Sequence, residues 1–251
     1  MRLSVLLGAQ AGFFILLAIV WEVVSRLELV DPRLLPSFLT VLGVLGDLLT
    51  QGEFLVDLGI TGLEVGVAFV IAAPLGVSIG FLLGEKLHLG QILSPMFHFM
   101  MSVPQSIFLP IFMLVLGIGF LEKVVFGITH AIFVIIVTTT AAVRTVPRDY
   151  VTVARTFGAT PRQIYLRVYL PAMLPVVMTG LRLGMIFNII GVLLAEMDAS
   201  RAGIGRRLFS WGEGFQLDLL LAGILLVSAL TIIINEVMRY CEHRAARGHV
   251  A

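Results

Sequence analysis

Charge is what this 251-residue sequence has least of. Asp, Glu, Lys and Arg together make up 13% of it, about half the share found in a soluble domain. Lysine occurs only as Lys86 and Lys123, each directly after a glutamate. Neither ends a glycine-rich loop followed by Ser or Thr, so there is no phosphate-binding loop and the chain is expected not to hydrolyse ATP itself. The single cysteine, Cys241, excludes an internal disulfide framework and a cysteine-based metal cluster. A net charge of +1 leaves no electrostatic footprint for nucleic acid. What is abundant is apolar: 59% of the residues are hydrophobic and the mean hydropathy is +1.04. Soluble enzymes and disordered tails are excluded as first readings, and lipid is the expected solvent.

A helix needs about 20 apolar residues to cross a bilayer core of about 30 Å. Stretches free of Asp, Glu, Lys and Arg place spans at Leu3–Trp21, Val65–Gly84, Val124–Val143 and Leu219–Asn235. His88–Leu121 is too long for one helix and carries Pro95, Pro104 and Pro110, which predicts a short lead-in and one bent helix over roughly 94–118. Val168–Leu181 and Leu183–Ala195 flank Arg182 and make one more span. An all-α integral membrane protein with six transmembrane helices follows. The first span lacks a small-x-small cleavage site and is read as a retained helix, not a secretory signal. The segment near 25–54 reads as an outer connection with a short helix, and the one near 198–217, with Gly203, Gly205 and Gly212, as an outer loop that dips back toward the membrane. The arginine cluster Arg144, Arg148, Arg155, Arg162 and Arg167 belongs on the cytoplasmic side, which puts both termini there too. No linker or repeat divides the chain, so residues 1–251 read as one transmembrane domain.

That basic loop is the most informative stretch. Pro147 and Asp149 suit the start of a short helix, Gly158 suits its C-terminal turn, and Thr160-Pro161 suits the N-cap and first position of a second. The product is a helix–turn–helix elbow over 148–163. It is either a basic loop that only sets topology, or a knob whose small residues Ala154, Gly158 and Ala159 let a partner approach the backbone.

Val153-Ala-Arg-Thr-Phe-Gly-Ala159, followed by Arg167-Val-Tyr-Leu-Pro-Ala172, resembles the EAA loop of ABC importer permeases. Thr179-Gly-Leu-Arg-Leu-Gly184, Ala195-Glu-Met197 and Gly203-Ile-Gly205 continue the likeness. So do Val103-Pro104, Leu109-Pro110 and Leu116-Gly-Ile-Gly119, and the type is similar to the nitrate/sulfonate/taurine branch of binding-protein-dependent permeases. The resemblance covers roughly 55–245 and implies a type I importer permease fold with a cytoplasmic coupling-helix elbow. It implies Thr152, Val153, Ala154, Arg155, Gly158, Ala159 and Pro171 as the ATPase-coupling residues. Thr152-Val153 stands where the family usually has Glu-Ala, so a carboxylate is missing from that contact. The implied partners are an ABC ATPase dimer carrying ATP-Mg, a second permease copy, and a periplasmic or lipid-anchored solute-binding protein. The implied place is a bacterial inner membrane, and the implied cargo a small anion such as a sulfonate, taurine or nitrate. No cofactor or metal is expected on this chain.

Two other readings compete. An ion-coupled secondary transporter would show paired broken helices in two matching halves, which are not evident. Gly76-Val-Ser-Ile-Gly80 formally matches the serine-hydrolase elbow, with Ser78 and either His98 or His130 as its pair, but it lies inside an apolar run. Gly76, Gly80 and Gly84 read instead as a small-residue ridge for close helix packing. Met100, Met101, Gln105, Ser106, Asn188 and Glu196 are the candidate lining of a translocation path, because the third and fifth spans carry the prolines and polar groups that a cavity tolerates. Met100 and Met101 serve equally as adaptable packing. Glu64, Arg182 and Glu196 are ionisable groups at membrane depth and mark a structural pair or a pathway. Arg182 is expected to tie to the elbow, Glu196 to gate the outer mouth or mark an interface, and Glu64 has no evident partner.

Overall fold

The structure, a computed structural model, describes residues 2–247, with side chains from Gly12 to Arg244 apart from Ala199 and His243. His249 and the side chains of Arg2 and Arg247 lie outside it. The described residues form α-helices α1 (Arg2–Arg26), α2 (Phe38–Leu48), α3 (Gly52–Glu85), α4 (Leu87–Ser102), α5 (Leu109–Leu116), α6 (Phe120–Arg144), α7 (Arg148–Thr156), α8 (Pro161–Ile164), α9 (Leu170–Ala199), α10 (Ile204–Glu213) and α11 (Leu217–Arg247). Among the described residues four runs are long and apolar enough to cross a membrane: α3, α6, the stretch Pro161–Asp198 and Leu217–Glu242 of α11. The bent α4–α5 pair makes a fifth. The short helix expected in the first loop is α2. Its N-cap Ser37 accepts from the Thr40 N–H at 3.1 Å, and Trp21 Nε1 donates to Pro36 O at 2.9 Å, holding the loop against α1.

Two spans differ from the sequence reading. α3 starts at Gly52 and not near Val65, because Asp57, Thr61 and Glu64 turn inward to buried partners and do not end the helix. At 34 residues it is about 51 Å long. The third span has no separate lead-in. α4 runs from Leu87 straight through Pro95, and the chain bends by 83° at 103–104. Val103, preceding a proline, is held extended (φ −79°, ψ 128°), and Pro104 has no N–H to continue the helix. A 3₁₀ turn (Gln105–Phe108) then leads into α5.

α6 lies between α3 and α9, and glycines set the spacing on both sides. A Cβ on Gly76 would stand 2.7 Å from Ile135 Cγ2, one on Gly80 2.7 Å from Ile136 O, and one on Gly84 2.5 Å from Val143 Cβ. From α9, a Cβ on Gly184 would reach within 2.6 Å of Ile135 Cγ1. Removing side chains there lets helices touch backbone to side chain, which is how packing holds helices together in lipid. Gly80→Val is therefore expected to cost about 1–3 kcal/mol by overpacking. Gly62→Ala, on the same helix with nothing within 4 Å of its Cβ, should be neutral or stabilising by about 0.5–1 kcal/mol. Melting of the two purified variants in one detergent measures the contrast.

Candidate functional site

The elbow is built from local signals. α7 ends in a paired turn: the Gly158 N–H donates to Arg155 O at 2.9 Å and the Ala159 N–H to Ala154 O at 3.0 Å. Gly158 sits at φ +76°, the left-handed position such a turn requires. α8 opens with a reciprocal cap, in which the Thr160 N–H donates to Gln163 Oε1 at 2.8 Å and the Gln163 N–H to Thr160 Oγ1 at 3.4 Å. A π turn (Tyr165–Tyr169) carries α8 without a break into α9, with Pro171 in its first turn. The Tyr165 hydroxyl donates to Glu85 Oε1 at 2.7 Å, and Phe81 meets the rings of Tyr165 and Tyr169 edge-on, so the elbow is pinned to the end of α3.

Only Val151 of α7 is buried. Outward stand Tyr150, Val153 and Phe157, the last 88% exposed. Ala154 and Ala159 are half-buried beside them, and Arg155 is exposed. Thr152 is exposed and spends its hydroxyl on Arg148 O of its own helix at 3.1 Å. The result is an apolar knob on a fixed base.

At the opposite end of the bundle lies a polar cluster that sequence reasoning missed except for Glu64 and Glu196. Glu196 of α9 is fully buried. Its Oε1 accepts from Thr61 Oγ1 at 2.7 Å and its Oε2 from the Gly205 N–H at 2.7 Å. Thr61 Oγ1 in turn accepts from the Ile204 N–H at 2.9 Å. Asp57 Oδ1 accepts from the Gly203 N–H at 2.8 Å, and Asp57 Oδ2 pairs with Arg207. Glu64 Oε1 pairs with Lys123 Nζ at 3.4 Å, both almost wholly buried. The N-terminal N–H groups of α10, which no earlier turn satisfies, thus end on side chains of α3 and α9. The signal was present in the sequence as Asp57, Thr61 and Glu64 at helical spacing on one face.

The remaining candidate residues fall into separate places. Met100 and Gln105 line a cavity of about 260 Å³ at the α4–α5 bend, with Thr129 and Phe133 of α6. Met101 and Ser106 are exposed at the same bend. Asn188 is buried away from it, donating through Nδ2 to Val65 O at 2.8 Å. Arg182 is a structural tie to the last helix and not to the elbow: its Nε lies 3.3 Å from Glu242 Oε2 and its Nη1 3.4 Å from Asn235 Oδ1. Thr179 Oγ1 donates to the same Glu242 at 2.6 Å. The reason is reach, since Arg182 stands about 16 Å up its helix from Pro171. Ser78 is exposed on α3, while His98 and His130 are each bonded to a carbonyl of their own helix, Ser94 O at 2.7 Å and Phe126 O at 3.0 Å.

Residues 72–247 match the family described as binding-protein-dependent transport system inner membrane component. The chain belongs to that family. As an inner-membrane permease it is similar to the putative aliphatic sulfonates transport permease SsuC of Bacillus subtilis, 26% identical over 90% of this chain and 82% of the relative. It is 28% identical to the taurine transport system permease TauC of Escherichia coli, over 95% of this chain and 88% of that one. To the nitrate import permease NrtB of Leptolyngbya laminosa it is 29% identical, over 72% and 65%. In fold it matches a chain of the MetNI methionine ABC transporter in an inward-facing conformation, with a TM-score of 0.61 at 21% identity, covering 75% of this chain and 92% of that one. These relatives are permease subunits, and the fold is that of an ABC importer permease. The family match includes the elbow, the α4–α5 bend and α10, but it begins after Asp57, Thr61 and Glu64, so half of the polar cluster lies outside it.

Proposed function

We propose that this permease imports a small anion of sulfonate, taurine or nitrate type, delivered by a solute-binding protein and driven by a separate ATPase that carries the ATP-Mg. The whole chain, 1–251, acts as one transmembrane unit in which α1 supplies the sixth crossing; its side chains from Phe13 to Leu17 are all exposed and apolar. Both termini and the elbow face the cytoplasm, two copies enclose the path, and the bend at 103–104 with Met100, Met101, Gln105 and Ser106 borders it. No cofactor is needed on this chain. The printed names of the relatives support the cargo class.

The observation that carries the reading is the knob: Tyr150, Val153 and Phe157 exposed on a helix whose C-terminal turn is closed by paired backbone hydrogen bonds. Apolar side chains held out from a rigid base, on a segment too polar to enter lipid, fit a cleft in a soluble protein. ATP-driven closure of the ATPase pair would move the two knobs together. The cavity then switches sides because ATP inside and the binding protein outside each favour a different state. Phe157→Asp is expected to abolish co-purification of the ATPase and ATP-dependent uptake while membrane insertion stays at the wild-type level. Wild-type association and uptake in both Phe157→Asp and Ala154→Asp would overturn the coupling role.

A further inference from the structure

Where α3, α4 and α6 meet on the elbow side, the bundle leaves a cavity of about 350 Å³. Leu83, Phe97 and Ile136 are among its apolar lining, and Ser94, His98 and Arg144 among its polar lining. Among the described residues no Asp or Glu lines it, and Arg144 has no carboxylate within 4.0 Å. The guanidinium lies against Gly90, where any side chain would run into it and into the Leu83 carbonyl. Ser94 Oγ is buried without a hydrogen-bond partner. His98 uses Nδ1 on Ser94 O, which leaves Nε2 as its unspent nitrogen.

A partly enclosed cavity with one unpaired cation, one unsatisfied hydroxyl and no competing carboxylate is a place where an anion gains charge and hydrogen bonds together. A buried hydroxyl without a partner is otherwise a cost the fold would shed. We propose that this cavity binds a small oxyanion of sulfate, sulfonate or phosphate type, with Arg144 supplying the charge and the Ser94 hydroxyl, turned about its Cα–Cβ bond toward the cavity, a hydrogen bond. The same chemistry is offered by a free anion and by the phosphate of a lipid headgroup. The inference goes beyond the transport reading and does not depend on it, because it is tested by binding alone.

The full-length chain, purified in a neutral detergent free of phosphate, would be titrated with sodium sulfate against sodium chloride of equal ionic strength. A second arm would release the chain from phosphatidylglycerol bilayers and count retained lipid by native mass spectrometry. Saturable binding of either probe is expected, weakened roughly tenfold or more by Arg144→Gln. Ala141→Asp leaves Arg144 in place and sets a carboxylate on the exposed cavity wall; it should abolish binding without disturbing the packing. One phosphatidylglycerol per chain, lost in both variants and displacing sulfate from the wild type, would assign the site to a headgroup. Sulfate binding indifferent to that lipid would assign it to a free anion. Binding unchanged in both variants, or no saturable binding of either probe, would overturn the proposal and leave Arg144 a topological charge.

Discussion

Lys123→Met is expected to cost about 3–5 kcal/mol of stability, the range for breaking a buried ion pair from one side. Lys123 is 4% exposed and its partner Glu64 1%. Glu122, also buried, stands next to it in the chain. Taking away the lysine leaves two carboxyls in a low-dielectric region with no cation opposite. Each must then be neutralised or drag water into the bundle, and both routes lower stability. The second half of the prediction separates charge from shape. Adding Glu64→Leu to Lys123→Met should recover the part of the loss that comes from Glu64, because replacing both members of a buried pair by apolar groups is often close to neutral, while Glu122 keeps the remainder. Detergent melting of the two single variants and the double variant measures the coupling. Simple additivity of the two losses would mean that the pair does not act as a unit.

Gly203→Ala is the second large effect. Gly203 sits at φ +103° and ψ 163°, a backbone region almost confined to glycine, where other residues cost about 1–3 kcal/mol. A Cβ there would also run into the Glu196 carboxylate. Moving that carboxylate gives up its bonds to Thr61 and to the Gly205 N–H, and the Gly203 N–H would leave Asp57. Together these losses should total roughly 3 kcal/mol or more. Gly214→Ala tests whether backbone strain at a positive φ is the cause. Gly214 has φ −79° and only ordinary contact or slight crowding around its Cβ, so its variant should lose far less. Equal melting of the two would remove the strain argument.

The turn and cap of the elbow were legible because what shapes them is local. Thr160 and Gln163 cap one another across Pro161 within four residues, and Gly158 ends a helix whose last carbonyls are its immediate neighbours. A bend in the third span was legible for the same reason, although its place at 103–104 and the extent of α4 were not, since Pro95, Pro104 and Pro110 all read as breaks and Pro95 is carried within the helix. The polar cluster was not legible. A search for charge-free stretches ends a span at Glu64, and it can do nothing else, because Lys123 and Glu196 meet that face only after the bundle forms. Arg182 shows the same limit on a smaller scale: its membrane depth follows from the sequence, but which helix supplies Glu242 does not.

The way α10 hangs from α3 has a consequence for how the chain is made. The three bonds that satisfy Asp57 and Thr61 join residues 146, 143 and 135 positions apart. At a synthesis rate of 5–20 residues per second, the N-terminal end of α3 waits roughly 7–30 s for its partners to leave the ribosome. Throughout that interval the Asp57 carboxylate lacks its partners and the Thr61 hydroxyl has only the Asp57 carbonyl of its own helix, and hydrocarbon offers no substitute. The half-made protein therefore has to keep that end of α3 in water, or within the insertion machinery, until α9 and α10 arrive. A helix of 34 residues, about 51 Å against a hydrocarbon core of about 30 Å, leaves that end room to wait outside the apolar layer.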